Sequence, residues 1–125
     1  MFMTFLHVAV GGAIGASLRF AAGLWVARMA LPGLPWAMMS VNIVGSFLMG
    51  AFAIWSLARG HEVLNPFVMT GLLGGFTTFS AFSLEAMNLI EGGHVAAALL
   101  YIVLSVGLSI GALALGFWIM RGVMA

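Results

Sequence analysis

The richest chemistry in the sequence sits in Gly74-Gly75-Phe76-Thr77-Thr78-Phe79-Ser80-Ala81-Phe82-Ser83, where paired glycines precede four hydroxyl side chains within seven positions. Two adjacent glycines and a hydroxyl cluster make a poor continuous helix. A helix broken at membrane depth is tolerated where its backbone faces protein or a cavity. Such a break frees carbonyl oxygens for a cation and amide N–H groups for an anion. Phe79 and Phe82 are three residues apart and share a helical face. An aromatic ring is negative on its face and positive at its edge, so two edges turned toward a pore can hold a small anion without a fixed positive charge. The same two rings serve equally well as core filling. The hydroxyls of Thr78 and Ser80 are read with them as lining.

A second set lies near the C-terminus. Tyr101, Ser105 and Ser109 are spaced by four, a step of about 400° that places all three hydroxyls on one helical face. They form either a polar track for a small hydrophilic solute or ordinary hydrogen bonds, between helices or back to their own backbone. Asn42, in Ser40-Val41-Asn42-Ile43-Val44-Gly45-Ser46, needs a partner, because an unsatisfied amide in hydrocarbon costs several kcal/mol. Its two N–H donors suit an anion as well as a carbonyl. Arg19 and Glu85 are charges inside apolar stretches, hence functional candidates. They pair with each other, or Arg19 draws anions into a hydrated vestibule. His7, His61 and His94 have no metal-ligand spacing and are read as interfacial. No nucleophile, base and orienting acid group together, and no phosphate-cradling loop appears, so the reading is not an enzyme.

These residues must be held by membrane-spanning helices. The chain has 125 residues, 64% hydrophobic and 6% charged, with a mean hydropathy of +1.22. Its seven charges leave uncharged runs of 18 (Met1 to Leu18), 30 (Met29 to Ala58), 22 (Val63 to Leu84) and 29 residues (Gly92 to Met120). A bilayer core of about 30 Å needs about 20 apolar helical residues. The composition therefore excludes a soluble globular domain and a disordered chain. It predicts one all-α transmembrane domain over 1–125. Helix 1 is expected over Thr4–Met29, a turn over Leu31–Pro35, helix 2 over Trp36–Leu57, an interrupted helix 3 from Asn65-Pro66 to Ile90, and helix 4 over Val95–Met120. The N-terminal apolar stretch is read as a retained helix rather than a signal peptide. Trp25, Trp36, Trp55 and Trp118 fall near span ends, where an aromatic belt belongs. Small residues four apart (Gly11 with Gly15, Gly12 with Ala16, Ser46 with Gly50, Gly71 with Gly75, Gly107 with Gly111) are read as helix-packing positions.

With no cysteine, disulfides and thiolate sites are excluded. Four Arg, no Lys and no basic run make nucleic acid an unsuitable partner. A four-helix chain this small has little bulk to enclose a pore, so self-association is expected. Positive-inside counting sets Arg59 and Arg121 against Arg28. So narrow a margin fits either an ordinary topology with both ends inside or insertion in both orientations. The second arrangement gives an antiparallel homodimer with the inverted symmetry that larger transporters build from internal repeats.

Three segments carry a family resemblance: Gly11-Gly-Ala-Ile-Gly-Ala-Ser-Leu-Arg19, Val41-Asn-Ile-Val-Gly-Ser-Phe47 and the GGFTTFSAFS run from Gly74 to Ser83. In this order, with this length and four spans, the chain resembles the Fluc fluoride channels, also called the CrcB family. It departs from the family pattern at Ala37 and Met38, where Gly-Thr is common, and at Ala81, where Thr is usual. The resemblance implies a dual-topology, antiparallel homodimer with two fluoride pores, helix 3 broken, and a structural sodium ion at the dimer interface. It implies Phe79 and Phe82 as the paired pore rings, Asn42 as the pore amide, and Tyr101, Ser105 and Ser109 as the hydroxyl track. Gly74 and Thr77 would give sodium their backbone carbonyls, Arg19 would lie near the pore mouth, and Glu85 close to the phenylalanines. The expected activity is passive fluoride export across a bacterial inner membrane. The competing reading is a small proton-coupled multidrug exporter. That chemistry needs an embedded carboxylate; such exporters carry it in helix 1, where this chain has Arg19, which leaves only Glu85. A membrane anchor without transport activity is the third reading.

Overall fold

The computed structural model describes residues 1–29 and 32–125, and among these no strand occurs. Four helical stretches are long and apolar enough to cross a membrane: Phe2–Ala27, Trp36–Arg59, Glu62–Glu91 and Val95–Met124. We label the regular helices α1 (Phe2–Ala27), α2 (Trp36–Arg59), α3 (Gly74–Phe76), α4 (Phe79–Glu91) and α5 (Val95–Met124). The third stretch is composite. A 3₁₀ turn at Glu62–Leu64 leads into a π-helical segment, Pro66–Leu73, followed by α3 and α4. Pro66 opens that segment, where its missing N–H would have had no partner anyway.

Of the turn expected over Leu31–Pro35, Leu31 lies outside the described residues. From Pro32 to Pro35 the chain is non-helical, with Gly33 at φ 95°. Helix α2 runs two residues past its expected end because Gly60, at φ 69°, closes it in the left-handed conformation. There the His61 N–H reaches back to the Ser56 carbonyl at 2.7 Å, satisfying a helix-terminal acceptor. Helix α5 extends to Met124, past the expected Met120.

Two close helix pairings build the bundle. Helix α1 lies on the π-helical segment and α3, and α2 lies along α5. In lipid, helices gain little from excluding water and associate by close packing, which favours glycine at the contact. A Cβ on Gly15 would run into the Leu72 carbonyl oxygen, and one on Gly116 into the Phe47 carbonyl oxygen. Of the expected small-residue pairs, Gly11/Gly15 and Gly71/Gly75 do meet across the first contact. Among the described residues, a Cβ on Gly107 or Gly111 would meet no atom within 4 Å. The buried core is small. Met39, Phe82, Ala86 and Tyr101 form it where α2, α4 and α5 converge. Large apolar side chains such as Phe20, Val103, Ile110 and Trp118 point outward, as suits helices solvated by acyl chains.

Candidate functional site

The site forms where the third stretch leaves the helical path. The glycines expected to interrupt it remain helical, and the two threonines do not. Thr77 (φ −89°, ψ 156°) and Thr78 (φ −156°, ψ 128°) are extended. β-Branched residues are at ease in extended backbone, and Thr78 is also a good helix N-cap. Its hydroxyl accepts the Ala81 N–H at 3.3 Å and shares a 3.1 Å hydrogen bond with the Ser80 hydroxyl.

Leaving the helix redirects its hydrogen bonds. In a continuous helix the Thr78 N–H would donate to Gly74, and the Ala81 N–H to Thr77. Instead Thr78 N–H donates to Asn42 Oδ1 at 3.0 Å, and Ala81 N–H turns to the Thr78 hydroxyl. The carbonyls of Gly74 and Thr77 therefore lose their helical donors. Asn42 completes the exchange by donating from Nδ2 to the Thr78 carbonyl at 3.3 Å. An amide nitrogen carries two N–H groups, so one remains. Arg19, from α1, donates from Nε to the Gly75 carbonyl at 3.2 Å. The expected alternative of an Arg19–Glu85 ion pair does not occur among the described residues.

Beside this interruption lies a cavity of about 290 Å³ lined by Asn42, Ser46, Thr77, Thr78, Phe79, Phe82, Ser105, Val106, Ser109 and Ile110. A water molecule's share of liquid volume is about 30 Å³, so the space holds several waters. Phe79 and Phe82 rings are 5.5 Å apart at 49°, and Phe82 and Tyr101 are 5.1 Å apart at 43°. Phe82 is 7% exposed, whereas Phe79 is 76% exposed and marks the open flank of the site. The hydroxyls of Tyr101, Ser105 and Ser109 are buried and, among the described residues, have no hydrogen-bond partner. Neither bonding back to the backbone nor bonding across helices accounts for them. Ser105 and Ser109 bring two orphan hydroxyl donors to the cavity wall, while Tyr101, one turn before Ser105, lies outside its lining. With the spare Asn42 N–H, these donors suit a small anion.

Not every expected residue joins this site. Ser80 is exposed and does not line the cavity; as the residue after Phe79, it lies about 100° around α4 and reaches the site only through its hydrogen bond to Thr78. Glu85 lines a second cavity of about 260 Å³ with Trp36 and Met38 and is not in the lining of the first. Thr77 spends its hydroxyl on the Leu73 carbonyl at 2.9 Å, so it offers its carbonyl rather than its side chain. Ser46 was missed as a lining residue. It lies one helical turn after Asn42 on the same face of α2, and that spacing was the available signal. Among the described residues no cluster of His, Cys, Asp or Glu has metal-binding geometry. The Gly74 and Thr77 carbonyls that the resemblance implies for sodium are both without their helical donors, as is the Phe76 carbonyl between them.

The fold defines a small multi-pass membrane protein with a partly polar cavity between its helices. The family described as CrcB-like protein, Camphor Resistance (CrcB) matches residues 6–117, and the chain belongs to that family. It is 58% identical over 125 residues to a "Fluoride-specific ion channel FluC" of Ruegeria sp. (strain TM1040), covering 99% of each chain. It is 55% identical over 118 residues to the protein of the same name from Roseobacter denitrificans, covering 93% of this chain and 94% of the relative. A third, from Cereibacter sphaeroides, is 48% identical over the full length of both.

Proposed function

We propose that this protein is a fluoride-selective channel that lets cytoplasmic fluoride leave the cell passively and so limits its toxicity. The observation that carries the reading is the set of three buried, partnerless hydroxyls of Tyr101, Ser105 and Ser109 beside the Phe79–Phe82 pair. Full-length relatives named as fluoride-specific channels support it. In acid surroundings neutral hydrogen fluoride crosses the bilayer and dissociates inside, and the channel returns the anion down its gradient. Ser105 and Ser109 donate to the ion in turn, Asn42 adds its spare N–H, and Phe79 and Phe82 present ring edges. Fluoride, small and strongly basic among halides, gains most from short charge-assisted hydrogen bonds. Chloride fits the same file of donors less well.

The finer architecture belongs to this proposal. The third span acts as a broken helix, and two subunits pair antiparallel in dual topology to give two pores. The 76% exposure of Phe79 supports this pairing, since a pore ring needs a wall on its open side. The Gly74 and Thr77 carbonyls would hold a structural sodium ion at the dimer interface. When bound, that ion supplies positive charge that ties the two helix interruptions together. The setting is a bacterial inner membrane, and Glu85 faces the second cavity rather than the ion path through the hydroxyls. Fluoride release from liposomes containing purified protein tests the reading. Release that requires a proton gradient and depends on Glu85 would replace it with a coupled exporter.

A further inference from the structure

Five carbonyls run through the interruption from Gly74 to Thr78, and they are not equivalent. Thr78 is taken by Asn42 from α2 and Gly75 by Arg19 from α1. Gly74 and Thr77 are left without their helical donors. The non-helical backbone is thus braced from two sides, and both braces act on main-chain atoms. An arginine inside a membrane span is costly unless its N–H groups are satisfied, and this one spends its Nε–H on a carbonyl of α3.

We infer that Arg19 is a positioning residue: its Nε–H, rather than its charge, fixes the Gly75 carbonyl and so orients the Gly74–Thr78 backbone that frames the hydroxyl cavity. This rests on the channel reading only for its effect on flux. An anion lure at the pore mouth would act through charge at a distance and would be indifferent to which nitrogen bears the hydrogen.

Side-chain chemistry separates the two roles. Counting bonds from Cα, the Gln amide nitrogen occupies the same place as Arg Nε, so Arg19→Gln keeps a donor there and removes the charge. Arg19→Lys keeps the charge but has a methylene at that place, and Arg19→Met has neither. A direct readout is available without transport. Labelling glycine with carbonyl ¹³C and phenylalanine with ¹⁵N selects only the Gly75–Phe76 and Gly116–Phe117 linkages. Solid-state NMR of the full chain in bilayers then reports hydrogen bonding at Gly75, with Gly116 as internal control.

The expected result is a Gly75 carbonyl shift retained in Arg19→Gln and moved upfield in Arg19→Lys and Arg19→Met, with Gly116 unchanged. Fluoride efflux should follow the same order, with Gln near wild type and Lys and Met lower by about tenfold, the worth of one hydrogen bond of about 1.4 kcal/mol. An unmoved Gly75 signal in Arg19→Met overturns the proposal. So does efflux in which Lys is near wild type while Gln is as low as Met, since charge alone would then suffice. A wild-type protein with no fluoride efflux would remove the channel reading and leave the carbonyl test standing.

Discussion

Replacing Ser105 with alanine should move stability and transport in opposite directions. Ser105 is 4% exposed and its Oγ is buried without a hydrogen-bond partner, while the residue lines the cavity beside Phe82. A buried polar group left unsatisfied costs about 1–3 kcal/mol, and waters in the cavity bring the value to the low end. Ser105→Ala removes that group and little volume, so the folded protein should be as stable as the wild type or more stable by up to about 1 kcal/mol. Transport should suffer. A hydrogen bond to a charged partner contributes about 1.5–3 kcal/mol, and each 1.4 kcal/mol is tenfold. Fluoride efflux from liposomes should therefore fall at least about tenfold, with Ser109 and Tyr101 still in place. Thermal unfolding in detergent, followed by circular dichroism, supplies the second axis. A variant that melts earlier and conducts normally would refute the reasoning, because Ser105 would then be a packing residue with a hydrogen bond inside the protein.

Other substitutions probe the remaining parts of the site. Asn42→Asp loses the Nδ2 donation to the Thr78 carbonyl and sets a negative charge beside the cavity. Efflux should drop by more than about tenfold and the unfolding midpoint should fall, as expected for an abandoned carbonyl costing about 1–3 kcal/mol. Phe82→Ile removes the ring that contacts both Phe79 and Tyr101. Fluoride efflux should fall while size-exclusion chromatography still gives the wild-type assembly. Gly15→Ala should destabilise by about 1–3 kcal/mol through overpacking against the Leu72 carbonyl. Gly107→Ala, whose new methyl meets nothing within the subunit, should stay within about 0.5 kcal/mol unless a second copy packs there. Thermal melts of the two variants side by side check the contrast.

Much of this molecule was legible from its residues because lipid imposes few solutions. Uncharged runs of helical length gave the four spans, and the spacing of Tyr101, Ser105 and Ser109 gave one face of α5. What the sequence did not disclose depends on contacts between distant segments. The non-helical residues fall on Thr77 and Thr78 rather than on Gly74 and Gly75 because Asn42, more than thirty residues away, supplies the hydrogen bonds that two extended residues need. Arg19 had two open readings, an ion pair or an anion lure, and the structure gave its Nε to a main-chain carbonyl that no side-chain pattern advertises. Glu85 follows Phe82 by one turn, yet it opens onto another cavity. Ser46 was visible only to a reader who continued the Asn42 face by another turn.

The central claim is passive, selective fluoride conduction along the hydroxyl track. The most direct test loads liposomes holding the purified protein with potassium fluoride or potassium chloride, adds valinomycin to carry the balancing charge, and follows each anion with its electrode. The account predicts rapid fluoride release that begins with valinomycin, needs no proton gradient, and has no counterpart in the chloride vesicles. Release of both anions at similar rates, or of neither from folded protein, would contradict it.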